Sequence, residues 1–406
     1  MSYLLLVAAL MTAPPPDSVP ARWAPLAEYL EASVARHAFP GAVVAVGRRE
    51  GVLFLHAVGR LDYEGRTPVT VTTVYDLASL TKVVGLTTAA MMLVDEGKLD
   101  LDAPVTRYVP AFAAGGDSVT VRHLLTHSSG LPAWRPFFQR VHSREEMFAL
   151  VNAEPLEATP GARMAYSDLG AMLLTEVVEH LTGKRLDRFL EARLFGPLGM
   201  KETRYLPPRS WRARIAPTEM DTTWRHRLVR GEVHDENAAS MGGVSGHAGL
   251  FSTAPDLARF VQFLMGTGAR RQDAQGPGLP DGQTPRDQDG QAPRRQDGQA
   301  RGAPLQLVRP ETIGLFTRVD RPGFSSRALG WDTPSENSSA GSHLSARAFG
   351  HTGFTGTSIW VDPQQDLFVI LLTNRVYPTR NNDLIREVRR EVADLAVAAA
   401  ALDPTR

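Results

Sequence analysis

A serine and a lysine three residues apart, Ser79 and Lys82, stand at the head of the apolar stretch YDLASLTKVVGLTTAAMMLVDEG, residues 75–97. In a helix, positions i and i+3 share a face, so the lysine amine lies alongside the serine hydroxyl one turn away. The chemistry this allows is acyl transfer: the hydroxyl attacks a carbonyl carbon, a base takes its proton, and N–H donors meet the oxyanion that develops. A lysine held against an apolar turn is desolvated, its pKa falls, and the neutral amine becomes a usable base. A serine at a helix start also has free backbone N–H groups and the positive end of the helix dipole beside it. The bland reading is a polar helix start with a lysine on its flank, and the pair alone does not separate the two.

Two further stretches could complete such a site. In MAYSDLGAMLL, Tyr166 just precedes a helix that Ser167 or Asp168 could cap; in FGHTGFTGTS, His351, Thr352 and Gly353 sit on an expected strand at a groove edge. Taken singly these are ordinary: an N-cap, a core aromatic, a satisfied structural histidine. The segment HDENAASMGGVSGHAG gathers His234, Asp235, Glu236 and His247 and so raises a metal reading. Its spacing matches no standard ligand motif, and serine chemistry needs no metal, so the expectation is a loop held by its own hydrogen bonds with no metal and no cofactor. Within it, His247 is a candidate for the cleft rim.

The elements around these residues fall into a simple order. Trp23, Leu26, Leu30 and Val34 keep helical spacing, and GAVVAVGRREGVLFLHAVGR then reads as two strands about a turn at Arg49 to Gly51. Toward the other end, RAFGHTGFTGTSIWVD and DLFVILLTNR read as one strand each, and the alanine-rich 383–401 as a helix. The two ends are therefore expected to build one antiparallel sheet from about 22–70 and 305–400, with terminal helices packed on it. Between them, about 71–266 reads as mostly helical: 79–96 closed by Gly97, a capping-box start at Ser143 and Glu146, a helix from 167, and another after Thr253. The junction of sheet and helical region is a natural place for a cleft. Residues 267–304, with their repeated QDGQA and RQD, lack the apolar surface needed to offset ordering entropy and read as a disordered surface insert.

Composition narrows the function classes. The chain has 406 residues, 43% hydrophobic and 22% charged, and its 44 Lys plus Arg balance 44 Asp plus Glu. No global field or basic run argues for nucleic acid as a partner. The lack of cysteine excludes disulfides, thiolate metal sites and a cysteine nucleophile. The N-terminal run from Tyr3 to Ala13 has the length of a leader's apolar core and is too short to span a bilayer. Residues 1–21 thus read as a signal peptide, implying a periplasmic or extracellular protein. The alternatives, a short buried or frayed segment and a cytoplasmic protein, stay open.

Together and in this order, the three motifs resemble those of the serine β-lactamase and penicillin-binding-protein superfamily, most closely its class C-related branch of esterases, D-aminopeptidases and D-alanyl-D-alanine carboxypeptidases. The likeness extends over about residues 22–400 outside the insert and includes VRHLLTHSSGLP, FGPLGMKETRY and GHTGFTGTSIWVDP. It implies an α+β, β-lactamase/transpeptidase-like fold. The family's S-x-x-K falls on Ser79 and Lys82, its Y-x-N on Tyr166 to Asp168, and its K-T-G on His351 to Gly353. The roles implied are Ser79 as nucleophile, Lys82 and Tyr166 as base and proton shuttle, and the N–H groups of Ser79 and Phe354 as oxyanion hole, with Asp168, His351, Thr352, Gly353 and Phe354 lining the substrate. Two departures matter. Asp168 replaces an asparagine and cannot donate a hydrogen bond when ionised; at ~4 Å from Lys82 its attraction of roughly 4 kcal/mol holds the lysine charged and favours Tyr166 as base. His351 replaces a lysine, and with a reference pKa near 6.5 only about a quarter of it is charged at pH 7.

These departures favour an ester or D-amino-acid amide or peptide as substrate, with a D-alanyl-D-alanine carboxypeptidase and a β-lactamase next. A slow-deacylating β-lactam or muropeptide sensor is the alternative of another class. The expected partner is a small or peptide substrate, peptidoglycan-derived in kind.

Overall fold

The computed structural model describes residues 19–113, 115–266, 307–336 and 338–403. Most of the N-terminal leader reading and the whole 267–304 insert lie outside these residues. Five strands form one antiparallel sheet: β1 (Gly41–Arg48), β2 (Gly51–Gly59), β3 (Phe349–Thr352), β4 (Ser358–Asp362) and β5 (Leu367–Thr373), in the order β2-β1-β5-β4-β3. The central pair joins the two ends of the chain, with Ala45 opposite Ile370. This is the antiparallel sheet read from the two ends of the sequence.

The stretch 347–362, read as one strand, folds as two. Gly353 N–H donates to Thr357 O at 2.8 Å and Gly356 N–H to Gly353 O at 3.1 Å, closing a turn between β3 and β4. Gly356 takes a φ of +115°, which a side chain would strain.

Both faces of the sheet are covered, which is why β5 is an unbroken apolar run and not an alternating one. Ala42, Val44, Val46, Leu367, Val369 and Leu371 face the terminal helices, α1 (Ala24–Ala35) and α5 (Ile385–Ala401). Trp23, fully buried, stacks on Phe54 with ring centroids 4.8 Å apart, and Arg36 on α1 reaches Glu387 on α5 at 2.7 Å. The alternate residues, Val43, Ala45, Phe368, Ile370 and Leu372, face the helical region.

That region is centred on the helix that starts at Leu80, winds as a π-helix over Lys82–Thr87 and continues as α2 (Thr88–Asp95). It is apolar on every side, with Leu80, Val83, Val84, Ala89, Ala90 and Met91 all buried, so it runs through the interior and not over the surface. It packs against α3 (Asp168–Thr182), while α4 (Ala254–Leu264) packs on β1 and β5. At Ser143 the hydroxyl accepts from Glu146 N–H as expected, but the Glu146 carboxylate reaches His142 N–H, one residue short of a closed capping box. No helix among the described residues is long and apolar enough to cross a membrane.

Removal of the indole that links α1 to the sheet tests this architecture. Trp23→Ala is expected to lower unfolding free energy by about 4 kcal/mol, measured by urea denaturation, because the cavity lies between three elements and cannot collapse.

Candidate active site

The turn that carries Ser79 is built before the helix begins. Asp76, buried, accepts Ala78 N–H at 2.8 Å and His234 N–H at 2.6 Å, and this hold keeps Ala78 at a φ of +46°, an uncommon conformation for alanine. The next residue, Ser79, is the one partly exposed side chain in the run from Thr73 to Leu80. Thr357 Oγ1 donates to Leu77 O at 3.0 Å and Thr355 Oγ1 to Asp76 O at 2.8 Å, pressing the β3–β4 turn against the Ser79 turn. The approach is so close that a Cβ on Gly353 would lie 2.1 Å from Thr357 Oγ1 and 2.3 Å from Leu77 O. Neither the Ser79 nor the Phe354 N–H has a hydrogen-bond partner among the described residues.

Lys82, its side chain 3% exposed, donates to Ser79 Oγ at 2.9 Å and to His247 O at 3.0 Å, and lies 2.7 Å from Asp168 Oδ1. The contact with Asp168 is an ion pair off the line of a good hydrogen bond, since Oδ1 has no aligned donor. Burial acts to lower the lysine pKa, but Asp168 first and Tyr166 next outweigh it, and the net shift is upward. Three acceptors around one ammonium group give the same answer by geometry. The lysine is therefore charged at rest, and the neutral amine expected from desolvation alone is not what surrounds Ser79.

Tyr166 lies with its ring centre 5.0 Å from Lys82 Nζ, 5.3 Å from the Arg327 guanidinium, 4.5 Å from the His127 ring and 5.8 Å from the His351 ring. Its hydroxyl is buried without a hydrogen-bond partner. Ser167, the N-cap of α3, fixes this position: its N–H donates to His127 Nδ1 at 3.1 Å and its hydroxyl to Pro132 O at 2.6 Å.

His351 is buried, and its Nδ1–H donates to Thr352 O at 2.8 Å, which leaves Nε2 as an unpartnered acceptor. Burial first, then Arg327 and Lys82, push its pKa well below the usual histidine value. It is neutral at pH 7, further from a lysine than the reference value suggested. Phe354 is 48% exposed at the mouth of the site.

The structure thus brings Ser79, Lys82, Tyr166, Asp168, His351 and the turn at Gly353 and Phe354 into one place. His247 enters differently from expectation: its ring is buried, bonded to Asp235 at 2.8 Å and Ser245 at 2.7 Å, and its carbonyl is what meets Lys82. His234 pairs instead with Glu219 at 2.9 Å. No cluster of three metal-ligating side chains occurs among the described residues. Sequence reasoning missed Asp76, His127 and Arg327. The THSSG segment held the signal for His127, whose φ of +54° marks it as a special position.

Such a fold and site define a β-lactamase and penicillin-binding-protein-like hydrolase, and comparison with known proteins agrees. The profile of the family described as Beta-lactamase matches residues 26–394. The chain belongs to that family, whose members are serine hydrolases. It is 34% identical over 376 residues to the N-acetylmuramyl-L-alanine amidase of Bacillus subtilis strain 168, covering 83% of this chain and 77% of that one. It is 30% identical over 374 residues to the "Putative D-alanyl-D-alanine carboxypeptidase" of Escherichia coli K12, covering 82% and 78%. Among solved structures, EstCE1, a hydrolase with promiscuous acyltransferase activity, superposes with a TM-score of 0.68 at 21% identity over 93% of this chain and 98% of that one. A penicillin-binding-protein homologue from Caulobacter crescentus gives 0.68 at 24% identity, over 94% and 98%. At these identities the two structures show the fold.

Two outcomes check the electrostatics. Asp168→Asn leaves a buried ammonium without its carboxylate and is expected to cost about 2 kcal/mol of stability at pH 7, less than for a fully buried pair because Asp168 is partly exposed. A raised lysine pKa means that, while Asp168 is ionised, this contribution is complete below about pH 10.5 and fades above it, so from neutral pH upward the urea midpoints of the two proteins should converge only in strong alkali. For His351 the sign is opposite: below about pH 6.5 the unfolded chain binds a proton that the folded one refuses, and stability falls with pH. His351→Gln should flatten that acid slope by ~1.4 kcal/mol per pH unit.

Proposed function

We propose that this protein hydrolyses an ester or a D-amino-acid-type amide or peptide through an acyl-enzyme on Ser79. The observation that carries the reading is the pairing of a Ser79 hydroxyl held by Lys82 with two unpartnered N–H groups, of Ser79 and Phe354, on turns pressed together. The hydroxyl attacks the carbonyl carbon, and the two N–H groups receive the oxyanion. Lys82 donates to Ser79 Oγ and His247 O and is held charged by Asp168, so it has no lone pair for the serine proton. Tyr166 Oη is the base, as phenolate, with Lys82 holding the negative charge in place and Asp168 holding Lys82. The same tyrosine then passes the proton to the leaving group, later draws one from the deacylating water, and returns it to Ser79 Oγ as the acyl bond breaks.

Within this chemistry a D-alanyl-D-alanine-type carboxypeptidase is the second reading. It is supported by Arg327, whose buried Nε and Nη1 have no partner and whose nearest carboxylate, Asp332, is 3.9 Å away, so a cation remains beside the site although His351 is neutral. The names of the amidase and carboxypeptidase relatives support a cell-wall-type peptide and an exported protein. A β-lactamase and a slow-deacylating sensor are outcomes of the same test.

Wild type and Ser79→Ala should be incubated with a short-chain nitrophenyl ester, a D-alanyl nitroanilide, a diacetylated D-alanyl-D-alanine peptide, nitrocefin and a fluorescent penicillin. Turnover of the ester or a D-peptide by wild type, reduced at least ~10³-fold in the variant, is the expected result. Loss of all turnover with stable penicillin labelling would select the sensor. Equal rates for the two proteins would sink the hydrolase reading.

A further inference from the structure

A partly buried cation with no salt bridge among the described residues touches the site only from behind. Arg389 lies on α5, and its Nη2 donates to Gly353 O at 2.6 Å and to Thr357 O at 2.9 Å. Its Nε is buried without a partner. Burial, then the like charges of Arg375 and Arg386, pull its pKa down to about 9, and no acid opposes them. The guanidinium is therefore charged at neutral pH, half-buried and without a carboxylate partner among the described residues, an arrangement that costs stability unless the charge has a use. A neutral amide could hold two carbonyls equally well.

The use lies in which carbonyl it meets. Gly353 C=O and Phe354 N–H belong to the same peptide group, and hydrogen bonds in series polarise one another. Gly353 O accepts a second bond from Gly356 N–H at 3.1 Å, and a second guanidinium, that of Arg375, donates through Nε to Phe354 O at 2.8 Å. Both carbonyls that flank Phe354 thus face cations, while the Phe354 N–H is left without a partner on the side of Ser79.

We propose that Arg389 is a positioning and polarising residue for acyl transfer: it draws electron density out of the Gly353–Phe354 peptide group and so strengthens the Phe354 N–H that meets the oxyanion. The assignment rests on the acyl-enzyme reading above. Because the effect grows with charge on the substrate oxygen, it acts on the transition state more than on bound substrate.

The test compares Arg389→Lys, Arg389→Gln and Arg389→Met in the full chain, with thermal unfolding of each as the check on folding. Lysine keeps a donor and the charge, glutamine a donor alone, methionine neither. With a nitrophenyl ester, the glutamine and methionine variants should lose about tenfold in kcat with little change in KM, a fraction of the ~10²-fold that removal of a whole oxyanion-hole donor costs. The lysine variant should lose much less. Infrared difference spectra of the acyl-enzyme should show the ester carbonyl stretch moving to higher frequency in the glutamine and methionine variants, since a weaker donor polarises it less. Lysine and glutamine variants that match each other in rate, or an unmoved carbonyl band, would overturn the inference and leave Arg389 as a holder of the turn. Absence of any acyl-enzyme on wild-type Ser79 is a separate result, which removes the acyl-transfer reading itself and this inference with it.

Discussion

The close approach of two turns is the constraint on which the rest of the site depends. Leu77 O lies where a Cβ on residue 353 would be, and the hydroxyls of Thr355 and Thr357 bond across the gap to Asp76 and Leu77. One turn comes from the start of the central helix, the other from the edge of the sheet. Their contact holds the two backbone N–H groups, of Ser79 and Phe354, on turns that are pressed together. Everything further out serves this contact: Asp76 holds the strained Ala78, His234 holds Asp76, and Arg389 and Arg375 hold the far side of the second turn.

The charges are arranged around it in a consistent way. Lys82 is kept positive by Asp168 and by the carbonyl of His247, so its field acts on Ser79 and Tyr166 without its own proton being free to leave. The histidines beside Tyr166 are kept neutral by burial and by the same cations. A neutral His351 with its lone pair free is an acceptor, whereas a lysine in its place would be a donor. This edge therefore presents an acceptor where the motif's usual lysine would present a donor, and Arg327 is the nearer source of positive charge.

Much of this was legible in the sequence, for reasons that differ by element. The terminal helix and first hairpin carried clear periodicity and an obvious turn, and β5 was readable because a sheet covered on both faces demands an unbroken apolar run. The strand through 347–362 was misjudged in one respect: GFTG gave no alternation cue, and its turn is imposed by the hydroxyls that reach Leu77 and Asp76, which are 280 or so positions away in sequence. Ser79, Lys82 and Tyr166 stood out because order and spacing pointed to them together. Lys82 shows the limit of local reasoning, since desolvation read from its apolar neighbours gave the wrong sign until Asp168 was considered. Asp76 and Arg389 had no local signal at all: a buried aspartate and an arginine on an amphipathic helix acquire their roles from residues far along the chain.

The pairing of β1 with β5 has a consequence for when the protein can act. The central seam of the sheet joins residues 41–48 to residues 367–373, and the helix that supports the second turn follows later still. During synthesis the helical region, with its Ser79 and Lys82, emerges and can collapse first, while the sheet must wait for nearly the whole chain. Until then Ser79 has no second N–H beside it. On the proposed acyl-transfer reading, the nascent chain carries Ser79 in an unarmed form, and reactivity would appear only with the last strands, at the moment when the fold itself is complete.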